Sequence, residues 1–186
     1  MKVSVFPRTK ERKSDPKKNR RAGEIPAVLY GSNQPNRNIA IKKDEFDAIL
    51  RTIRQGLLPT TVFELQEGDR KYKGLVKDIQ YHPTSYAVQH IDFFLLSEQE
   101  EVSVNVPIQI VGLADCVGIK LGGFLRQVIR SLKVSCLPKD IPQEFSIDIR
   151  ELNITQSKTL GDIPLPDRVR PLAKLTEVAL VIAKKV

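Results

Sequence analysis

The stretch RTKERKSDPKKNRRAGEIPAVLYG, residues 8–31, determines how the chain is organised. It begins as a basic segment and ends in an apolar run, Ile25–Tyr30, which is closed by Gly31 and predicts a strand. Between them, Asp15 followed by Pro16 is typical of a helix start, with Asp15 as the N-cap, and Gly23 is a natural stop. The sequence therefore predicts a short basic helix that leads directly into a β-strand.

Most of the positive charge of the chain lies at this end. From Met1 to Arg21 nine basic residues face two acidic ones, so this segment carries 9 − 2 = +7 of a total of +8. Such a dense run repels itself and is stabilised by a polyanion, most commonly nucleic acid phosphate, whose condensed counterions are released on contact. A solvated tail is the alternative, and the direct continuation into an apolar strand argues against it.

Composition excludes several classes of protein. A length of 186 residues allows one large or two small domains, and no apolar run approaches the roughly 18 residues of a membrane span. No apolar block follows Lys2, so we expect no secretory signal and a cytoplasmic protein. The cysteines, Cys116 and Cys136, are too few for a disulfide scaffold, and we expect free, buried thiols.

A helix is predicted after the first strands. Residues 2–6 and 39–42 have strand patterns, whereas residues 33–38, NQPNRN, have the composition of a turn. Asp44 then caps a helix that runs to Gln55 and is stopped by Gly56. Its apolar residues follow the i, i+3, i+4, i+7 spacing that buries one helix face: Phe46, Ile49, Leu50 and Ile53.

Three further strands complete the first half. Residues 60–65 and 70–81 form a hairpin across the turn at Gly68, and residues 87–96 form the next strand. In that last strand the apolar side chains Ile91, Phe93 and Leu95 fall on one face, and His90 and Asp92 fall on the other. This alternation is typical of the wall of a small antiparallel barrel.

The composition changes at Ser97–Glu101, where we place a domain boundary. Residues 1–97 carry 18 basic and 11 acidic groups, a net charge of +7, and residues 98–186 carry 12 and 11, a net charge of +1. The second half has an all-β pattern, with apolar alternation in residues 102–111, 123–135, 144–149 and 176–183. The middle of residues 123–135 alternates poorly and could be helical instead.

His90 and Asp92 have three interpretations: a base with its orienting carboxylate, a satisfied surface pair, or polar recognition of an RNA base or sugar edge. No nucleophile motif accompanies them. Two residues along a strand lie about 6.5–7 Å apart, so the two side chains could share a ligand without bonding each other. Tyr30 is either a core aromatic or a ring that faces RNA.

Metal and phosphate-loop motifs are weak. Cys116, Cys136, His82 and His90 match no usual zinc spacing, which favours core cysteines. Residues 118–123, GIKLGG, lack the GK[ST] ending of a phosphate-binding loop and predict a turn between strands.

Several of these segments resemble one known family. Residues 17–31, with Arg8 and Lys13 upstream, are similar to the start of bacterial large-subunit ribosomal protein twenty-five, whose two-domain members are also called general stress protein CTC. Residues 76–83, VKDIQYHP, and 90–93, HIDF, resemble the paired strands of that family. Residues 118–123, 136–142 and 165–166 resemble its C-terminal domain, so the resemblance covers nearly the whole chain in order.

The resemblance implies a small N-terminal β-barrel with helices that binds 5S ribosomal RNA at its loop E. Where many relatives carry arginines, this chain has Lys17, Lys18 and Asn19, and a lysine is a point charge rather than a bidentate donor. The implied RNA contacts are Arg8, Arg20, Arg21, Tyr30, Gln80, His90 and Asp92, and four lysines complete the predicted site: Lys13, Lys17, Lys18 and Lys77.

We therefore predict a mostly β (α+β) protein with an N-terminal domain, residues 1–97, that is a small antiparallel β-barrel with helices, and an all-β C-terminal domain, residues 98–186. It is expected to be a structural component of the large ribosomal subunit that contacts 5S ribosomal RNA and neighbouring subunit components. No enzymatic activity, cofactor, metal, membrane or small-molecule substrate is expected. The alternatives are a soluble RNA-binding stress factor or RNA chaperone that is not stoichiometric with the ribosome, and a small hydrolase that uses His90.

Overall fold

A computed structural model describes residues 1–8, 15–31 and 34–184, with Asp15 and Gln34 described for the backbone alone. The chain divides into two compact units, Met1–Glu100 and Glu101–Val186. That residues 1–97 and 98–186 fold as independent domains stays a prediction. Within the described ranges, no helix combines the length and the apolar composition needed to cross a membrane.

The first unit is a closed six-stranded barrel with two α-helices. The elements are β1 (Lys2–Pro7), α1 (Asp15–Arg21), β2 (Glu24–Gly31), β3 (Gln34–Lys42), α2 (Lys43–Thr52), a 3₁₀ helix (Leu58–Thr60), β4 (Val62–Glu67), β5 (Arg70–Tyr81) and β6 (Val88–Leu95). Around the barrel the strands follow the order β1-β3-β2-β6-β5-β4. The prediction of an antiparallel barrel is wrong at two strand pairs, because β1 pairs with β4, and β2 with β6, in parallel, whereas the remaining neighbours are antiparallel.

The barrel is filled by the inward half of each alternating strand. In β6 the residues Ile91, Phe93 and Leu95 are buried, as their spacing predicts. Phe93 packs edge-on against Phe63 of β4, with ring centroids 5.9 Å apart. Gly68 lies in the turn between β4 and β5 at a φ of +57°, a conformation that favours glycine. The turn of the hairpin is therefore where the sequence predicts it.

Helix α2 packs on the barrel through the predicted face. Phe46 is fully buried, and the other three apolar side chains of that face pack against the same core. The predicted bounds are wrong, because the N-cap is Lys42 without a side-chain cap and the helix ends at Thr52 rather than Gln55. Ile53 turns to an extended backbone while its side chain still packs on the core.

The predicted turn at residues 33–38 is wrong for the residues that the structure describes, because β3 already begins at Gln34. Arg37 explains how so polar a segment is held as a strand. Its guanidinium lies 2.9 Å from the carboxylate of Glu67 and 4.7 Å from the ring centroid of Tyr72, on strands β4 and β5. The hydrogen bond from Arg37 also lowers the pKa of Tyr72.

The second unit contains two small sheets. The elements are β7 (Val102–Val111), α3 (Val117–Lys120), β8 (Gly123–Gln127), β9 (Ser131–Cys136), β10 (Phe145–Asp148), β11 (Ser157–Thr159), a 3₁₀ helix (Leu160–Asp162), β12 (Arg170–Pro171) and β13 (Val178–Lys184). One sheet has the strand order β10-β7-β9-β12 and the other β11-β13-β8. The mostly β class, with a barrel followed by a second β-rich region, is thereby confirmed.

Two local predictions in this unit are partly correct. Residues 123–135 are β as predicted but form two strands, β8 and β9, in different sheets, and the helical alternative for the chain between them is wrong. Residues 118–123 contain the predicted turn at 121–122, preceded by part of the short helix α3, which was not predicted. Gly118 fits there because a Cβ would lie 2.9 Å from the carbonyl oxygen of Leu152, too close for any side chain.

Candidate nucleic-acid interface

Three neighbouring strands, β2, β6 and β5, carry most of the predicted site. The register aligns Tyr30 with Phe94 across β2 and β6, and Gln80 with His90 across β5 and β6. Since the intervening residues of β6 fill the barrel, these side chains lie on its outside. We call this set the outer face: Tyr30, Lys77, Asp78, Gln80, His90, Asp92 and Phe94.

One end of the outer face is aromatic. Tyr30 and Phe94 meet edge to face with ring centroids 5.7 Å apart, and Nζ of Lys77 lies 5.1 Å from the centroid of Phe94. Partial burial raises the pKa of Tyr30, and the carboxylates of Asp92 and Asp78 raise it further. The phenol therefore stays protonated at neutral pH and can donate a hydrogen bond.

His90 and Asp92 form the polar centre of the outer face. Nδ1 of His90 lies 2.8 Å from Oδ1 of Asp92, and it is enclosed without a hydrogen-bond partner among the residues that the structure describes. The two side chains approach each other because both lean along the same strand face, and that they share a ligand stays a prediction. Their side chains are 25% and 33% exposed, which leaves polar edges for a ligand.

Lys77 and Gln80 are exposed on β5 beside this pair. The β5–β6 register shifts between Val76 and Asp78, and such a bulge redirects the side chain that it contains. The shift places Lys77 on the outside, next to Phe94. Five predicted residues are thereby brought together on one face: Tyr30, Lys77, Gln80, His90 and Asp92.

The short helix α1 supplies the positive charge. Its four basic side chains are exposed, and the Nε of Arg20 donates to the carbonyl oxygen of Pro16 at 3.2 Å. Gly23, at a φ of +79°, turns the chain from α1 into β2. Because β2 and β6 run parallel, α1 and the turn before β6 lie at the same end of the barrel. The helix therefore stands beside the His90 end of the outer face, with Lys17, Lys18, Arg20 and Arg21.

Arg8 and Lys13 complete the predicted set. Lys13 lies outside the described residues. The backbone N–H of Arg8 donates to the carbonyl oxygen of Asn38 at 3.0 Å. Asn38 lies on β3, where it pairs with Val28 of β2. The Nε and Nη1 of Arg8 are enclosed, and neither has a hydrogen-bond partner in the part of the chain that the structure describes.

Metal chemistry has no site among the described residues, since they include no group of three His, Cys, Asp or Glu side chains that could hold an ion. Cys116 and Cys136 are buried in the apolar core of the second unit. The thiol of Cys116 donates to the carbonyl of Leu152 at 3.4 Å. Both cysteines thus serve as core residues.

Comparison with known proteins is consistent across the whole chain. The model of the "Ribosomal L25p family" matches residues 3–93, and that of "Ribosomal protein TL5, C-terminal domain" matches residues 101–185. "Large ribosomal subunit protein bL25" of Chlamydia muridarum is 44% identical over 185 residues, with both chains covered completely. The chain belongs to the ribosomal L25p family. Proteins of the same name from Chlamydia abortus and Chlamydia pneumoniae are 43% and 40% identical over equal coverage.

Sequence reasoning missed two residues of the outer face of this L25p chain. Phe94 shares the strand face of His90 and Asp92, so the period of β6 already contained the signal. Asp78 lies opposite Asp92 across β5 and β6, and this pairing depends on a register shift that no local pattern shows. Together they make the face aromatic and acidic, in contrast to the basic helix beside it.

Proposed function

We propose that this L25p chain is a structural constituent of the large ribosomal subunit and that it binds 5S ribosomal RNA at loop E. The observation that carries the proposal is the division of chemistry in the first unit. An aromatic and hydrogen-bonding outer face stands beside an exposed basic helix. The name of the relatives, which are large-subunit ribosomal proteins identical at more than 40% of positions, supports the assignment to the subunit.

The basic helix supplies affinity in this proposal. Lys17, Lys18, Arg20 and Arg21 project from fewer than two helical turns, so they can meet phosphates on both strands of an RNA groove. Contacts of this kind depend on salt because each releases condensed counterions. They set the position of the protein without reading the sequence.

The outer face supplies orientation. A carboxylate is repelled by phosphate, so Asp92 must accept a hydrogen bond from a base amino or imino group, or from a ribose hydroxyl. Tyr30, protonated at neutral pH, donates in the same region. The minor groove of an RNA helix is wide and shallow and displays base edges with 2′-hydroxyls, which suits a barrel wall. On this reading the pair of His90 and Asp92 recognises RNA and has no catalytic role.

Arg8 gives independent support. An enclosed guanidinium whose Nε and Nη1 have no hydrogen-bond partner among the described residues costs about 1–3 kcal/mol per unsatisfied donor, and usually more when the group is charged. A phosphate that displaced the groups covering these two nitrogens would satisfy both donors bidentately.

The test is a binding titration against 5S ribosomal RNA and an unrelated duplex of the same length, at several salt concentrations. We expect tighter binding to 5S RNA at every salt concentration and a steep salt dependence for both RNAs. Equal binding to both would refute specific recognition. A second measurement asks whether the protein sediments stoichiometrically with large subunits at high salt, since a free pool would favour the stress factor or RNA chaperone.

A further inference from the structure

A cavity of about 310 Å³ lies at the end of the barrel where α1 meets the turn before β6. Four basic side chains and one carboxylate line it, for a net charge of 4 − 1 = +3: Lys17, Arg20, Arg21, Lys43 and Glu24. Its remaining wall includes the apolar residues Ile25, Ala87 and Val88. A basic rim above an apolar wall fits a ligand with one anionic end and one flat apolar end.

The turn beside the cavity is unusually well fixed. Nδ1 of His82 accepts hydrogen bonds from the backbone N–H groups of Thr84 and Ser85, each at 3.3 Å. Backbone bonds between His82 and the far side of the turn, at Tyr86 and Ala87, close it at 2.9 and 2.8 Å. The turn thus presents a rigid edge rather than a loose loop.

Tyr86 is the unexpected residue of this turn. It stands between Ser85 and Ala87, which both line the cavity, and its side chain is 77% exposed. Its φ of +53° is a conformation that a tyrosine rarely adopts. The backbone N–H of Tyr86 closes the turn on His82, so this conformation holds the exposed ring at a fixed place beside the cavity.

We propose that this cavity binds one nucleotide, with the phosphate among Lys17, Arg20, Arg21 and Lys43 and the base against the apolar wall. Tyr86 is not itself part of the lining, and the proposal assigns its exposed ring, on the adjoining turn, the role of stacking on the open side of the base. Every nucleobase has a flat face that stacks on aromatic rings, and each phosphate attracts the basic rim. The nucleotide is either an unpaired residue of the bound RNA or a free mononucleotide. The first source rests on the proposed function, whereas the second does not.

Two pairs of variants isolate the site. Tyr86→Gly removes the ring and suits the positive φ, so the variant should melt at or above the wild-type temperature, and Tyr86→Phe keeps the ring. Lys43→Gln removes one basic group from the cavity. Its matched control is Lys73→Gln, at an exposed lysine of β5 outside the cavity.

The experiment follows backbone amide signals of the labelled full chain during titration with 5′-AMP, adenosine and inorganic phosphate. We expect saturable shifts at Ser85, Ala87, Val88 and Gln89 with 5′-AMP, and smaller ones with either fragment. Tyr86→Gly should weaken 5′-AMP binding on the order of tenfold, within the range for loss of one base stack. Lys43→Gln should weaken it as well, while Tyr86→Phe and Lys73→Gln should not.

Repetition with saturating 5S RNA identifies the source. If RNA abolishes the response to 5′-AMP and Tyr86→Gly also binds 5S RNA more weakly than Tyr86→Phe, an RNA nucleotide fills the cavity. If the response persists, or if the two variants bind 5S RNA equally, the site takes a free nucleotide. Unchanged 5′-AMP binding in both Tyr86→Gly and Lys43→Gln, or equal shifts with phosphate alone, would overturn the proposal. Failure of the proposed function is distinct, because it shows as a lack of preference for 5S RNA and leaves the 5′-AMP titration unaffected.

Discussion

Substitution of Asp92 by asparagine separates recognition of RNA from a merely structural role of the outer face. Asparagine has the same shape but replaces one acceptor oxygen by a donor, so a base amino group that donated to Asp92 would meet a second donor. A lost polar base contact costs about 1–3 kcal/mol, which corresponds to roughly 5- to 150-fold weaker binding.

The same substitution should cost little stability. The contact between His90 and Asp92 is one-quarter to one-third exposed, and even a charged pair at such a position contributes only about 0.2–1 kcal/mol. In a domain of this size that equals a decrease in Tm of at most about 4–8 °C. Loss of binding should therefore exceed loss of stability.

The assay is a titration of Asp92→Asn against 5S RNA and an unrelated duplex, together with a thermal melt. Asp69→Asn is the control, because it removes an equal charge at the exposed β4–β5 turn, away from the outer face. Both variants should bind the unrelated duplex as well as the wild type or slightly better, since a negative charge is gone. If Asp92→Asn binds 5S RNA as tightly as Asp69→Asn, the carboxylate makes no specific contact.

Three other predictions follow from the same structure. Replacing the four basic residues of α1 by glutamine should make the slope of log Kobs against log salt concentration less steep by about 3, because each lost phosphate contact contributes roughly 0.7–0.9. An unchanged slope would mean that the phosphate contacts lie elsewhere. A fragment of residues 1–97 should fold and keep 5S RNA binding, and a fragment of residues 98–186 should fold but bind that RNA weakly. Circular dichroism and RNA titration of the two fragments check this, and unfolding of both would mean one interdependent domain. Burial raises the pKa of the Cys136 thiol, and the carboxylates of Asp140 and Glu101 raise it further. The thiol should therefore react with a disulfide reagent only as fast as the protein unfolds, and rapid reaction in the native state would contradict this. Because the thiol ionises more readily in the unfolded chain, the free energy of unfolding should decrease as pH rises past the ordinary thiol pKa of 9.0.

Deleting residues 1–21 is a poor test of the basic segment, although its charge suggests that experiment. Residues 2–7 form β1, which pairs with β3 and β4 and closes the barrel. Val3 and Val5 are buried in the core. The deletion would remove a wall of the barrel together with the charge, so substitution within α1 is the cleaner change.

The sequence predicted those features that depend on local periodicity. The alternation in β6 and the apolar face of α2 were correct because burial on one side imposes a period of 2 or 3.6. Residues 34–38 were mistaken for a turn because their polar composition suits loops, and the contacts of Arg37 with distant strands outweigh that preference.

Features that depend on partners distant in sequence could not be predicted. The parallel pairing of β2 with β6 and the register shift near Lys77 arise from closure of the barrel. Contact between His90 and Asp92 depends on side-chain rotation, which strand spacing does not specify. Nothing local marks Tyr86 as a residue with positive φ, because tyrosine is not a residue that favours it.

Closure of the barrel also sets an order of events during synthesis. Ala27 of β2 pairs with Ile91 of β6, 91 − 27 = 64 positions later, and β1 must wait for β3 and β4. Pairings so distant in sequence fold slowly, and strands that wait for partners expose unpaired edges to aggregation. The outer face comes into existence only after β6 has left the translating ribosome. On the proposed function, the nascent chain would therefore attract RNA through α1 well before it could discriminate between RNAs.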